Sequence, residues 1–202
     1  MTDQSKKQSR QQTSTDGNTK RADSDVFANV SVVIPSKGNK RPITLESVPD
    51  EIETCVVSQG NRSEARNIGA KKTSGDILVF LDDDIRFTED WLRSQLQQVV
   101  LGRIIGLKDY GLGYLITRFM LMYRDTFNAV GGFDSKLNHM EDTEFCIRAR
   151  KSGMSLDSLS QRAVTHVPHE KTVTTADRLK SLLYLTQKHP KQAIPVWRKV
   201  LK

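Results

Sequence analysis

Five consecutive apolar residues, Ile77-Leu78-Val79-Phe80-Leu81, run without a break into three carboxylates, Asp82-Asp83-Asp84. A run that short, bounded by polar residues and rich in β-branched and aromatic side chains, reads as a strand buried on both faces. Such strands belong to sheets covered by helices on either side. Val30 to Ser36 (VSVVIPS) and Glu53 to Ser58 (ETCVVS) read the same way. Between the second and third strands, Ser63 is placed to cap a helix reaching Lys72, with Gly75 near its C-terminal end. Strand, helix, strand with apolar strands defines an α/β domain with a mostly parallel sheet flanked by helices. Thr88 opens a further helix over TEDWLRSQLQQVV, strands follow Arg103 with one near Tyr114 to Met120, and Met140 to Ser152 reads as a helix.

In open sheets of this kind, ligands bind beyond the carboxyl ends of the strands. Two segments fall there: Pro35-Ser36-Lys37-Gly38-Asn39 and Asp82-Asp83-Asp84. Three adjacent carboxylates repel one another, and a divalent cation removes that penalty. Hard ions such as Mn²⁺ or Mg²⁺ take carboxylate oxygens and keep positions open for phosphate. The alternative is a solvated acidic turn opening a helix. A second constellation is Gly131-Gly132-Phe133-Asp134 followed by Glu141-Asp142 and Arg148. Paired glycines allow a close backbone approach. Glu141-Asp142 falls at an expected helix start, where a carboxylate is either a general base kept ionised or simply a cap. A third is the helix carrying Arg62, Arg66, Asn67 and Gly69: phosphate-pairing arginines or a solvated basic face, with Gly69 permitting close helix-to-sheet packing. His166 and His169, in THVPHE, are structural, exposed or metal-side histidines.

The chain has 202 residues, 37% of them hydrophobic. Residues 1–27 hold too little apolar surface to order and read as a disordered segment, with no secretory h-region. The domain spans 28–174. The tail, 175–202, is helical, interrupted at Pro190 and Pro195; it has one acid, Asp177, against seven basic residues, so +6 of the net charge of +7 lies there. That charge attracts anionic surfaces, and its leucines at helical spacing suit either packing on the domain or peripheral contact with a membrane face. With only Tyr184 and Trp197 as interleaved aromatics, nucleic acid is not an expected partner. No apolar run reaches a membrane span. Cys55 and Cys146 read as reduced structural thiols, consistent with a cytoplasmic chain.

Together, SVVIPSKGN, SEARNIGAKKTSGDILVFLDDD and FNAVGGFDSKLNHMEDTEFCIRARKSG resemble glycosyltransferase family 2, over roughly Val30 to His169. The resemblance implies a GT-A type, Rossmann-like fold and metal-dependent, inverting sugar transfer from a nucleoside-diphosphate sugar to an acceptor hydroxyl on a glycan or lipid-linked molecule. It implies that Asp84, with His166, holds the metal and diphosphate. Pro35, Ser36, Lys37, Arg66, Asn67, Asp82, Asp83 and Gly132 would contact the nucleotide sugar. Asp142 would be the base, supported by Glu141 and Arg148. The Gln-x-x-Arg-Trp signature of processive synthases is absent, so the expected enzyme is non-processive. Competing readings are a haloacid-dehalogenase-like phosphatase, a nucleotidyltransferase on a related fold, and a non-catalytic protein acting through its basic tail.

Overall fold

The computed structural model describes residues 26–38, 41–109, 111–167 and 174–200. The N-terminal segment 1–25, and with it most of the region expected to be disordered, lies outside the described residues, as does His169. Structure begins before residue 28: Phe27 is 3% exposed, with the Arg93 guanidinium 4.5 Å from its ring centre.

Six strands form one sheet. β1 is Val30–Pro35, β2 Glu53–Val57, β3 Ile77–Leu81, β5 Arg103–Lys108, β6 Leu115–Tyr123 and β7 Ser155–Leu159, in the order β2-β1-β3-β6-β5-β7. Three neighbouring pairs are parallel, while β6 runs antiparallel to both β3 and β5. The sheet is therefore mostly parallel with one reversed strand. A separate two-stranded ribbon pairs β4 (Ile85–Arg86) with β8 (Thr165–His166).

Period-two alternation sorts the strand side chains into two layers. Val33, Leu78, Phe80, Met120 and Met122 face one apolar cluster; Val32, Val79, Leu81, Phe119 and Leu121 face the other. The first cluster takes its helix partners from α1 (Arg62–Lys72), α3 (Arg124–Val130), α4 (Glu141–Lys151), α5 (Thr175–Lys188) and α6 (Pro190–Val200); the second is covered by α2 (Glu89–Leu96).

α1 starts differently from the sequence expectation. Its cap is Asn61, whose side chain accepts from the Glu64 N–H while the Glu64 carboxylate accepts from Asn61 N–H, a reciprocal box. Ser63 lies inside the helix and donates to the Leu137 carbonyl at 2.7 Å. The helix ends at Thr73, and Gly75 has another reason to be glycine: a Cβ there would crowd the Asn29 carbonyl and Ser31 of β1. Gly69 does seat α1 tightly on the sheet, since a Cβ at that position would overlap the Val33 side chain. Gly69→Ala is expected to cost about 1–3 kcal/mol through overpacking, and Val33→Ala in the same chain should recover part of it. Equal denaturation midpoints for wild type and Gly69→Ala would contradict this packing.

The basic tail is part of the domain. Leu182 and Leu185 of α5 and Ala193 and Val196 of α6 are buried at 0–1% exposure. Lys188 reaches Asp134 at 2.6 Å and Glu144 at 2.9 Å, His189 meets Glu144 at 3.0 Å, and the Trp197 indole donates to Thr186. Leu179, Leu183 and Ile194 remain exposed on the outer surface. None of the described helices is long and apolar enough to cross a membrane.

Candidate active site

The Asp82-Asp83-Asp84 turn leaves the end of β3, and its backbone is held by β6 and by Ile43 and Thr44. Asp82 N–H donates to the Arg118 carbonyl of β6. Thr44 Oγ1 donates to the Asp82 carbonyl at 2.7 Å and accepts from Ile85 N–H at 3.0 Å. Ile43 and Thr44 N–H groups both point at the Asp83 carbonyl. Nothing in the sequence marked Thr44, because a lone threonine in a loop carries no periodic or motif signal.

The three carboxylates then diverge. Asp83 accepts from Ser36 Oγ at 2.7 Å and, with Asp84, lines a cleft of about 400 Å³ whose walls include Pro35, Ser36, Lys37 and Arg41. Asp82 instead turns to the other side, lining a cavity of about 540 Å³ with Glu141 and Asp142. Arg62 lines both hollows, so they adjoin there. Asp84 is 8% exposed and its Oδ2 lies 3.2 Å from His166 Nε2. The β4–β8 ribbon makes this pair, because Ile85, next to Asp84, is in register with His166. Among the described residues no group of three or more His, Cys, Asp or Glu side chains clusters as a metal cage. A carboxylate and an imidazole form the partial donor set suited to a hard or borderline cation whose remaining positions go to water and phosphate.

Arg66 lies buried on the wall of the larger hollow. Its side chain is 1% exposed, and its two terminal nitrogens reach Asp82 Oδ1 and Glu141 Oε1, each at 2.9 Å. Burial alone would lower its pKa, yet Glu141 and Asp82 lift it above its usual value. The Phe133 ring lies under the guanidinium, 5.5 Å from ring centre to Cζ.

Asp142 sits beside this bridge at the start of α4. The residue before the helix, Met140, holds a left-handed conformation at φ 63°, the one positive-φ non-glycine among the described residues. Such a conformation costs about 1–2 kcal/mol, and here it aims the first turn of α4 into the cavity. Asp142 Oδ1 accepts the Thr143 N–H at 2.7 Å. Burial and then the neighbouring Glu141 charge push the Asp142 carboxyl up to about 7.

The remaining expected site residues lie elsewhere. Asn67 donates to the Phe133 carbonyl and accepts its N–H, at 2.8 and 2.9 Å. Gly131 is the left-handed cap of α3, and a Cβ on Gly132 would crowd Asn67. Arg148 holds both Glu144 oxygens and donates to the Val130 and Gly132 carbonyls. Asn67, Gly132 and Arg148 line neither hollow. They pin the Gly131-Gly132-Phe133 turn, which puts Phe133 under Arg66. Sequence reasoning passed over Arg118, His139, Arg178 and Lys199, all on the walls of the larger hollow. They come from unrelated elements, and only the folded topology gathers them.

The fold has known counterparts. Residues 39–107 match the family model of Glycosyl transferase family 2. Among solved structures, the chain superposes on the mannosyltransferase PcManGT from Pyrobaculum calidifontis, in complex with GDP-Man and Mn²⁺, with a TM-score of 0.57 at 14% identity, over 79% of this chain and 62% of that one. It superposes on S. aureus TarS, in complex with UDP-GlcNAc, with a TM-score of 0.53 at 15% identity, over 79% of this chain and 66% of that one. Drosophila β1,4-galactosyltransferase 7, in complex with xylobiose, gives 0.52 at 15% identity, over 75% and 79%. No curated protein sequence matches the chain. The chain thus spans about three fifths of the length of the first of these structures. The fold is the GT-A fold of glycosyltransferases. The match to the glycosyltransferase family 2 model covers residues 39–107 of the 202.

Proposed function

We propose that the chain transfers a sugar from a nucleoside-diphosphate sugar to an acceptor hydroxyl, with inversion at the anomeric carbon and with Mn²⁺ or Mg²⁺ as cofactor. The observation that carries this reading is the placement of Asp84, paired with His166, on one hollow and of a buried, high-pKa Asp142 beside the Asp82–Arg66–Glu141 bridge on the adjoining one. The smaller hollow suits the nucleotide. Ser36 and Asp83 are hydrogen-bonded to each other on its wall, and Asp83 is better placed than Asp82 to meet the ribose or base. Asp82 keeps Arg66 in position and faces the acceptor side.

Asp84 and His166 would hold the cation, which when bound offsets negative charge on the departing diphosphate. Asp142 takes the acceptor proton. Its raised pKa makes the ionised carboxylate a stronger base near neutral pH than an ordinary aspartate. Arg66 holds Glu141 and supplies positive charge that keeps Asp142 from rising further. The GDP-Man, UDP-GlcNAc and Mn²⁺ of the similar structures support a nucleotide-sugar donor and a divalent ion. Because the inner face of the tail is spent on the core, peripheral membrane contact would rest on Leu179, Leu183 and Ile194.

Calorimetric titration of UDP and GDP, each with and without Mn²⁺, tests the donor half. One of them should bind in a metal-dependent way, and Asp84→Ala should weaken it by more than about tenfold. If neither nucleotide binds in the presence of the metal, the donor reading falls.

A further inference from the structure

The larger hollow carries more positive charge than its carboxylates neutralise. Arg66 is engaged by Asp82 and Glu141, and Lys199 by Asp109 at 3.1 Å. Three further guanidinium groups line the same walls: Arg62 at the start of α1, Arg118 on β6 and Arg178 on α5. Among the described residues none of these three is ion-paired, and Arg118 Nε is sealed from solvent without a hydrogen-bond partner. His139, on the same wall, adds no compensating negative charge. Burial, with Arg178 and Arg62 nearby, holds its imidazole below the usual range against the pull of Glu141. Cations gathered on one hollow from three separate elements repel one another until an anion sits among them. Arg62 also lines the nucleotide cleft and is accounted for by the donor diphosphate. Arg118 and Arg178 are left over, on the side of Asp142.

We infer that the acceptor is a phosphate-bearing molecule, its phosphate held by Arg118 and Arg178 and its hydroxyl presented to Asp142; this rests on the transfer reading above. Planar guanidinium groups bind phosphate through paired N–H bonds, and two of them match a dianion better than they match a single carboxylate. In the transfer itself, the acceptor oxygen forms the new bond to the anomeric carbon. The bond from that carbon to the diphosphate oxygen breaks, its electron pair leaves with the nucleoside diphosphate, and the hydroxyl proton goes to Asp142. The acceptor phosphate is not consumed. It anchors the molecule.

The test uses the full chain in EDTA, which silences a metal-dependent donor site. Thermal unfolding is followed with 10 mM-range glucose 1-phosphate and, as the matched neutral probe, glucose. Glucose 1-phosphate should raise Tm by about 3 °C, and glucose should leave it unchanged. The double variant Arg118→Gln/Arg178→Gln should lose most of the shift, and Lys180→Gln, an exposed cation on the same helix as Arg178, should keep it. Should the double variant unfold, Arg178→Gln alone, at an exposed position, carries the comparison. Equal shifts for the two probes, or a shift retained without the arginines, overturns the inference. Sedimentation with phosphatidylcholine vesicles, with and without phosphatidic acid, separates the sources. Phosphatidic-acid-dependent binding lost in the double variant identifies a lipid-borne phosphate, and a soluble-probe shift without such binding identifies a soluble one. If neither UDP nor GDP binds with metal but the arginine-dependent shift persists, the anion site stands and its role as an acceptor subsite falls.

Discussion

Asp142→Asn is expected to lower turnover by about 10³-fold, within the range for loss of a general base, and at the same time to make the protein more stable at neutral pH. Turnover is read as nucleoside diphosphate released from the donor that calorimetry identifies. The amide preserves shape and can still accept the Thr143 N–H, so geometry is kept while the proton acceptor is lost. Both effects come from one cause. Burial, then Glu141, raise the Asp142 carboxyl from 3.8 to about 7 in the folded chain. Between those values the folded state holds a proton that the unfolded state has released. Stability contributed by this group is therefore complete below about pH 4 and is lost as pH rises through about 7. The wild type at pH 8 carries the full cost of a poorly solvated charge, whereas the Asn variant carries none. The variant's advantage should be near zero at pH 4 and grow to about 2 kcal/mol by pH 8, or roughly 4–8 °C in Tm. In the wild type, kcat/KM should rise with pH through about 7 as Asp142 ionises. An Asn variant that keeps a tenth of wild-type turnover, or a Tm difference independent of pH, would remove Asp142 from its role.

The second large effect is expected at Arg66. Arg66→Met leaves Glu141, 4% exposed, without the cation that compensates it, and also frees Asp82. Breaking a buried pair from one side costs about 3–5 kcal/mol, which is roughly 10 °C in a chain of this size. The loss should shrink in acid, where the abandoned carboxylates take up protons. Arg66→Lys keeps the charge but not the fork, since one ammonium cannot reach two carboxylates on different elements as two separate nitrogens do; it should fall between Met and wild type. Where turnover survives in the Lys variant, the pH midpoint for kcat/KM should not fall below that of the wild type, because Arg66 is one of the groups holding Asp142 down. Differential calorimetry at pH 5 and pH 8 reads the first effect. A Met variant as stable as wild type at pH 8 would mean that Glu141 finds another partner.

Much of this architecture was legible from strand composition. The runs at Val30, Glu53 and Ile77 became β1, β2 and β3, because β-branched and aromatic runs bounded by polar turns leave little choice of structure. The reversed direction of β6 was not legible, since antiparallel and parallel strands have the same period of two. Helix starts were misjudged where several capping residues adjoin: Asn61 and Ser63 both suit a cap, and only Asn61 has Glu64 three residues on. In the site, Asp84 with His166 and Glu141 with Asp142 were named from order along the chain, and the structure brings each pair together. Asn67 and Gly132, expected to contact the nucleotide sugar, and Arg148, expected to support the base, all fasten the Phe133 turn, because a motif marks residues that travel together without separating those that touch ligand from those that hold the residues that do. Arg118 and Arg178 carry no motif at all.

The turn after β3 faces two ways, and this divides the site along the chain. Nearly everything lining the smaller cleft precedes residue 85, whereas the larger hollow takes much of its wall from Asp109 to Lys199. Arg62 lines both hollows. On the proposed reading, substitutions in the later stretch, His166 and Val167 apart, would retarget the transfer to a new recipient while leaving the donor cleft untouched. A single turn whose carboxylates point two ways would leave one side of the proposed reaction free to diversify as the other stays fixed.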